Sequence, residues 1–200
     1  MLLYSVIILL CMAIIVGANL LLATPAAVAG VWPLVLGVIF STVAVIGLDG
    51  LLAFFIRRLP AGWFGRERRI FFVSRRECHV YQVLGVRRWK DKIPELGQFT
   101  GFHKNRVYEP QSNTYVARFI LECNYGVVIH LVGAFFGFLI IFLYPLAWAP
   151  GMGIPVAVVN FVLNLLPTMV LRYNTPKLEA LYALNARRIK KNELLMYEKL

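Results

Sequence analysis

Hydrophobic positions along this chain fall into four long runs, and a mixed, charge-rich pattern separates the second run from the third. Leu2 to Leu22 contains no charged residue. At 1.5 Å per residue, a helix of that length crosses a hydrocarbon core of about 30 Å. Trp32 to Ile56 forms the second run, interrupted only by Asp49 and closed by Arg57 and Arg58. Val127 to Tyr144 is the third, and after the proline- and glycine-rich Pro145 to Pro155 a fourth extends from Val156 to Leu171. Lipid offers no partner to backbone N–H and C=O groups, so each run must be helical. The pattern therefore predicts an all-α integral membrane protein with four transmembrane helices and a membrane-associated cytoplasmic segment between the second and third. A single membrane domain is expected, with spans at about 2–22, 32–56, 127–144 and 156–171, a cytoplasmic cap at 57–126 and a tail at 172–200.

Composition supports this class. The chain has 200 residues, 60% of them apolar and only 16% charged, with a mean hydropathy of +0.70. A soluble domain is only about half apolar and carries about a quarter charged residues. The net charge of +11, from 21 Lys and Arg against 10 Asp and Glu, would ordinarily suggest nucleic acid. Apolar runs of this length have no place in that reading, and no nucleic-acid partner is expected. The placement of the charges is informative. Fourteen bases lie between Arg57 and Arg118 and seven between Arg172 and Lys199, while the loops at 23–31 and 145–155 have none. Positive loops remain in the cytoplasm, which predicts a multi-pass protein of the cell membrane with both termini inside.

Two features of the N-terminal half have competing readings. Ala27-Val28-Ala29 looks like a signal-peptide cleavage site, but no basic region precedes the apolar run, which is longer than a typical signal core. It is read as a span. Asp49-Gly50-Leu51-Leu52-Ala53 resembles the start of the CDP-alcohol phosphotransferase signature, but Phe54 stands where arginine should follow and the later aspartate pair is missing. Asp49 is then either a functional intramembrane acid or the partner of a nearby arginine. Cys11, Cys78 and Cys123 have no metal-ligand spacing, and no disulfide is expected.

Within the cap, Arg66 to Leu84 mixes aromatic and aliphatic residues with five arginines, a pattern for one or two interfacial helices whose arginines reach headgroups. Membrane lipids are thus the first expected partner. Glu77 and Tyr81 lie four residues apart and share a helical face. Trp89 beside Lys90 and Lys92 suits an interfacial anchor, and Pro94 with Gly97 suits a turn. His130 is the only histidine in an apolar span, and imidazole is a general base near neutral pH. Its other reading is an interhelical hydrogen bond, for example to Asn160 or Asn164. Glu122 precedes it by eight residues, which turns about 80° and rises about 12 Å, too far for a direct bond. Pro167 is expected to open the fourth helix near the cytoplasmic surface, and Pro176 to stop or redirect the chain.

In order, these elements are Glu77 and Tyr81; Gly85-Val86-Arg87-Arg88-Trp89-Lys90-Asp91-Lys92-Ile93-Pro94; Gly101-Phe102-His103-Lys104; Glu122 with His130; Asn164 with Pro167; and Arg172-Tyr173-Asn174-Thr175-Pro176-Lys177-Leu178. Together they resemble the glycosyl-4,4'-diaponeurosporenoate acyltransferase family over roughly residues 64–188. The resemblance implies a membrane enzyme that moves a fatty acyl group to a sugar hydroxyl of a glycosylated lipid, the last step of a staphyloxanthin-type carotenoid pathway. Acyl-CoA is the implied donor, no cofactor is expected, and the glycosylated lipid is the acceptor. On the matching positions, His130 is assigned as base, and Glu122 or Glu77 as the group orienting the acceptor. Tyr81, Trp89, Lys90, Asp91, Lys104, Asn164, Arg172, Tyr173 and Asn174 are assigned to substrate binding, with Arg172 and Lys90 toward phosphate and Asn164 toward the oxyanion. This sequence departs from the family pattern at Tyr125, where arginine is usual, at Val127, where a second glutamate is usual, and at Thr175. The alternative function is a non-catalytic membrane subunit that binds a lipid or protein partner.

Overall fold

The computed structural model describes residues 2–93 and 107–197. Among them the protein is all-helical, without strands, and four of its helical stretches are long and apolar enough to cross a membrane. The helices are α1 (Leu2–Leu21), α2 (Pro25–Val28), α3 (Val31–Ile56), α4 (Arg75–Val83), α5 (Val86–Trp89), α6 (Asn113–Phe136) and α7 (Gly153–Tyr197), with a 3-10 stretch at Gly137–Leu143 continuing α6. The chain divides into two units, Met1–Arg58 with Val128–Thr168 and Leu59–Val127 with Met169–Leu200.

The first unit holds α1 to α3, the C-terminal part of α6 with its 3-10 extension, and the start of α7. Its interior is assembled from Leu34, Val38 and Val45 of α3 against Ile15, Ala26, Ile140, Met152, Val156 and Ala157. The outside is equally apolar. Leu9, Leu10, Ile14, Leu36, Val43 and Phe55 are all more than half exposed, which water would penalise and acyl chains accept. Small residues and amides join the helices where side chains would otherwise collide. The Asn19 amide donates to the carbonyls of Ile15 and Gly151, both at 2.8 Å, and accepts from Thr24 Oγ1 at 2.6 Å. Gly30, at φ +124°, makes the turn between α2 and α3 that a residue with a Cβ would resist.

In the second unit, Ser74 starts α4 by accepting from the Glu77 N–H at 3.1 Å, and Gly85, at φ +62°, ends it. Tyr81, Val86 and Val170 form a small buried cluster with Trp89, Ile93 and Tyr173 packed around it. Between Arg66 and Leu84, where interfacial helices are expected, the chain forms one 3-10 turn at Arg69–Phe71 and α4.

Two expectations about proline are corrected. α7 runs through both Pro167 and Pro176 to Tyr197 and neither opens nor stops there. A proline inside a helix removes the bond to the carbonyl four residues earlier, which for Pro167 is that of Leu163. The Tyr4 hydroxyl of α1 donates to this carbonyl at 3.2 Å, so the lost partner is replaced from another helix. The residues around Pro176 are held by burial, with Val170, Leu171, Thr175 and Leu178 all less than a tenth exposed. Helix α6 likewise begins at Asn113, well before the apolar run, because helical hydrogen bonding does not end where hydropathy does.

Candidate functional site

In the first unit the polar side chains converge. Asp49 is its only acid, His130 its only histidine, and Arg57 and Arg58 its only bases. His130 Nδ1 lies 2.9 Å from Asn164 Oδ1, across the α6–α7 packing. Asn164 Nδ2 lies 2.9 Å from Asp49 Oδ2, 3.0 Å from Asn160 Oδ1 and 3.2 Å from the Asn160 carbonyl. Three acceptors around one terminal atom identify it as the NH2 of the amide. The other terminal atom is then the carbonyl oxygen, which only accepts, so His130 donates its Nδ1 proton. In the neutral imidazole this places the basic lone pair on Nε2. Asn160 Nδ2 in turn donates to the Gly133 carbonyl at 3.2 Å.

Gly133 of α6 and Gly137 at the start of its 3-10 extension make room for this cluster. A Cβ at Gly133 would stand 2.6 Å from Asp49 Oδ1, and one at Gly137 would collide with Asn160 Nδ2. Asp49, read from the sequence as either a functional acid or the partner of an arginine, and Asn160, read there as a possible partner of His130, thus belong to the constellation. The signal available there is the pair of glycines four apart on the same helix as His130, together with the amides four apart at Asn160 and Asn164. Small residues that admit polar partners are a recurrent feature of membrane helix packing.

The second unit holds a separate ionic cluster. Arg172 on α7 grips Glu77 with both arms, Nε to Oε1 at 2.5 Å and Nη2 to Oε2 at 2.8 Å. It also donates to the carbonyls of Ile70 and Phe72, each at 3.2 Å. Four of its five N–H groups are thereby engaged. The Tyr81 hydroxyl donates to Glu77 Oε1 at 2.5 Å. The guanidinium holds the Glu77 carboxyl below its ordinary range, and burial together with the Glu77 carboxylate pushes the Tyr81 phenol up.

The remaining predicted residues are distributed over this unit. Trp89 Nε1 donates to the Leu84 carbonyl at 3.1 Å, and Lys90 Nζ lies 2.5 Å from Asp91 Oδ1. Tyr173 carries Lys177 Nζ over its ring at 4.2 Å. Asn174 and Glu122 are half-buried, the latter on α6. Lys104 lies outside the described residues, as do Pro94, Gly97 and Gly101 to His103. The two positions that depart before His130 are packed into the unit. Tyr125 stacks on Phe64 with ring centres 4.0 Å apart and donates to the Leu59 carbonyl at 3.1 Å, and Val127 is buried.

The family model for glycosyl-4,4'-diaponeurosporenoate acyltransferase matches residues 60–184. Neither the curated proteins nor the solved structures contain a match to the chain. The matched region runs from the end of α3 through most of α7 and takes in His130, Asn160 and Asn164 along with the whole Glu77 to Arg172 cluster. Spanning most of a chain whose four long apolar helices are those of a multi-pass membrane protein, the match makes this protein a member of the glycosyl-4,4'-diaponeurosporenoate acyltransferase family.

Proposed function

We propose that the protein transfers a fatty acyl group from acyl-CoA to a sugar hydroxyl of a glycosylated lipid, at the cytoplasmic face of the cell membrane and with both termini in the cytoplasm. The observation that carries the chemical step is the hydrogen bond from His130 to Asn164, because the amide oxygen can only accept and so assigns the proton to Nδ1 and the basic lone pair to Nε2. His130 Nε2 takes the proton of the acceptor hydroxyl while its oxygen attacks the thioester carbonyl. The new C–O ester bond forms, the C–S bond breaks, and the thiolate of CoA leaves with the proton from the imidazolium. In water such a base is mobile. Here the ring is held by an amide that is itself held on three sides, which reduces the orientational cost of reaching the transition state.

The bases of the charged segment, Lys90 among them, supply the cationic surface proposed to receive the phosphates of CoA. Arg172 has fewer donors to offer, since the Glu77 carboxylate and two carbonyls already take most of them.

Full-length protein in liposomes, given radiolabelled palmitoyl-CoA and glycosyl-4,4'-diaponeurosporenoate, tests the reading. Wild type releases CoA only when the acceptor is present and yields acylated glycolipid. His130→Ala inserts normally and loses turnover by about 10²–10⁴-fold, the usual contribution of a general base; Glu122→Gln loses less. Wild-type turnover in His130→Ala removes histidine from the mechanism. Absence of CoA release with every acceptor in the wild type selects a lipid- or protein-binding subunit instead.

A further inference from the structure

We propose that Asp49 is a positioning residue that acts on His130 through the Asn164 amide. The proposal rests on His130 being the base, and it assigns a role to a residue of α3 that lies outside the matched region 60–184.

Three observations converge on it. The first is connectivity: Asp49 Oδ2 accepts from Asn164 Nδ2, and Asn164 Oδ1 accepts from His130 Nδ1, each at 2.9 Å. Every donor in this chain points toward the carboxylate, so each bond polarises the next in the sense that favours positive charge on the imidazole. The second is the state of the carboxylate itself. Its other oxygen, Oδ1, is buried without a hydrogen-bond partner among the described residues. A buried carboxyl oxygen left unbonded in an apolar unit is costly, and stability alone does not account for it. The reaction brings a cation to the far end of this chain of bonds, when His130 Nε2 takes up the hydroxyl proton. The third is the space made for it. A Cβ at position 133 would stand 2.6 Å from Oδ1, so the carboxylate keeps its place only because that residue is glycine.

The same chain explains why an amide stands between acid and base. A direct contact between carboxylate and imidazole would raise the basicity of the ring more strongly. With the amide between them, the carboxylate orients the ring and favours the imidazolium only over a longer distance.

The liposome assay above separates this role from a packing role. In Asp49→Asn, kcat falls about tenfold or more, part of what the base supplies, while KM for palmitoyl-CoA and for the glycolipid stays within about twofold. Thermal unfolding in detergent is unchanged or shifts upward, because a buried charge has been removed. Introduced into His130→Ala, the same substitution costs nothing further, since the residue through which it acts is gone. Gly133→Ala, which displaces the carboxylate without removing it, lowers kcat in the same sense. An Asp49→Asn enzyme with wild-type kcat, or a loss that multiplies with that of His130→Ala, overturns the proposal while leaving His130 as base. A fully active His130→Ala overturns both.

Discussion

Arg172 tests whether a cation within the matched region serves the fold or a ligand, and the structure sets the size of the effect. Replacing it with alanine removes a two-armed grip on Glu77 and two bonds to the carbonyls of Ile70 and Phe72. The arginine and glutamate side chains are 17% and 25% exposed, so their attraction is partly screened and contributes about 1–2 kcal/mol. Water replaces the two carbonyl bonds in part, at about 0.5 kcal/mol each. The sum is about 2–3 kcal/mol for holding residues 70–77 and α4 against α7. At 1.4 kcal/mol per tenfold, that corresponds to hydrogen exchange about 30- to 150-fold faster at the α4 amides. Arg172→Lys keeps the charge but cannot span both carboxylate oxygens, so its exchange lies between wild type and alanine. The measurement is exchange mass spectrometry on the full chain in liposomes, read together with KM for palmitoyl-CoA. If the α4 amides exchange as in wild type while KM rises, the guanidinium serves the acyl donor and the reasoning from its hydrogen bonds fails.

Two further predictions concern pH and the proline in α7. Because the Arg172 guanidinium lowers the Glu77 pKa below its ordinary value of 4.5, the pair contributes fully above that value. Its contribution is lost as the pH falls through the lowered value in the folded protein; α4 exchange should therefore accelerate on acidification below about 4.5 in wild type but not in Glu77→Gln. Tyr4→Phe removes the donor to the Leu163 carbonyl and should cost about 1 kcal/mol in detergent unfolding. In Pro167→Ala the alanine N–H restores the helical bond to that carbonyl, so Tyr4→Phe should then cost clearly less. Equal cost in both backgrounds would show that Tyr4 does not substitute for the missing donor.

Much of this protein is legible in its sequence because the bilayer imposes so strong a condition. Runs of about twenty apolar residues have only one way to satisfy their backbone in lipid, so four helices follow from hydropathy and the two basic segments from a count of Lys and Arg. Motif order is equally local: Glu77 with Tyr81, Trp89-Lys90-Asp91 and Arg172-Tyr173-Asn174 need no coordinates to be recognised, and the family match falls over them. Hydropathy says nothing about which carbonyl a proline orphans or which hydroxyl replaces its partner, and so Pro167 and Pro176 read as boundaries although α7 passes through both. Nor does it reveal that Asp49, 115 positions from Asn164, accepts a hydrogen bond from that amide. Partner choice in a helical membrane protein depends on rotation about each helix axis and on where glycines let backbones approach. Those are properties of packing, and they decided that His130, Asn164 and Asp49 form one chain of hydrogen bonds and that Glu77 is held by Arg172.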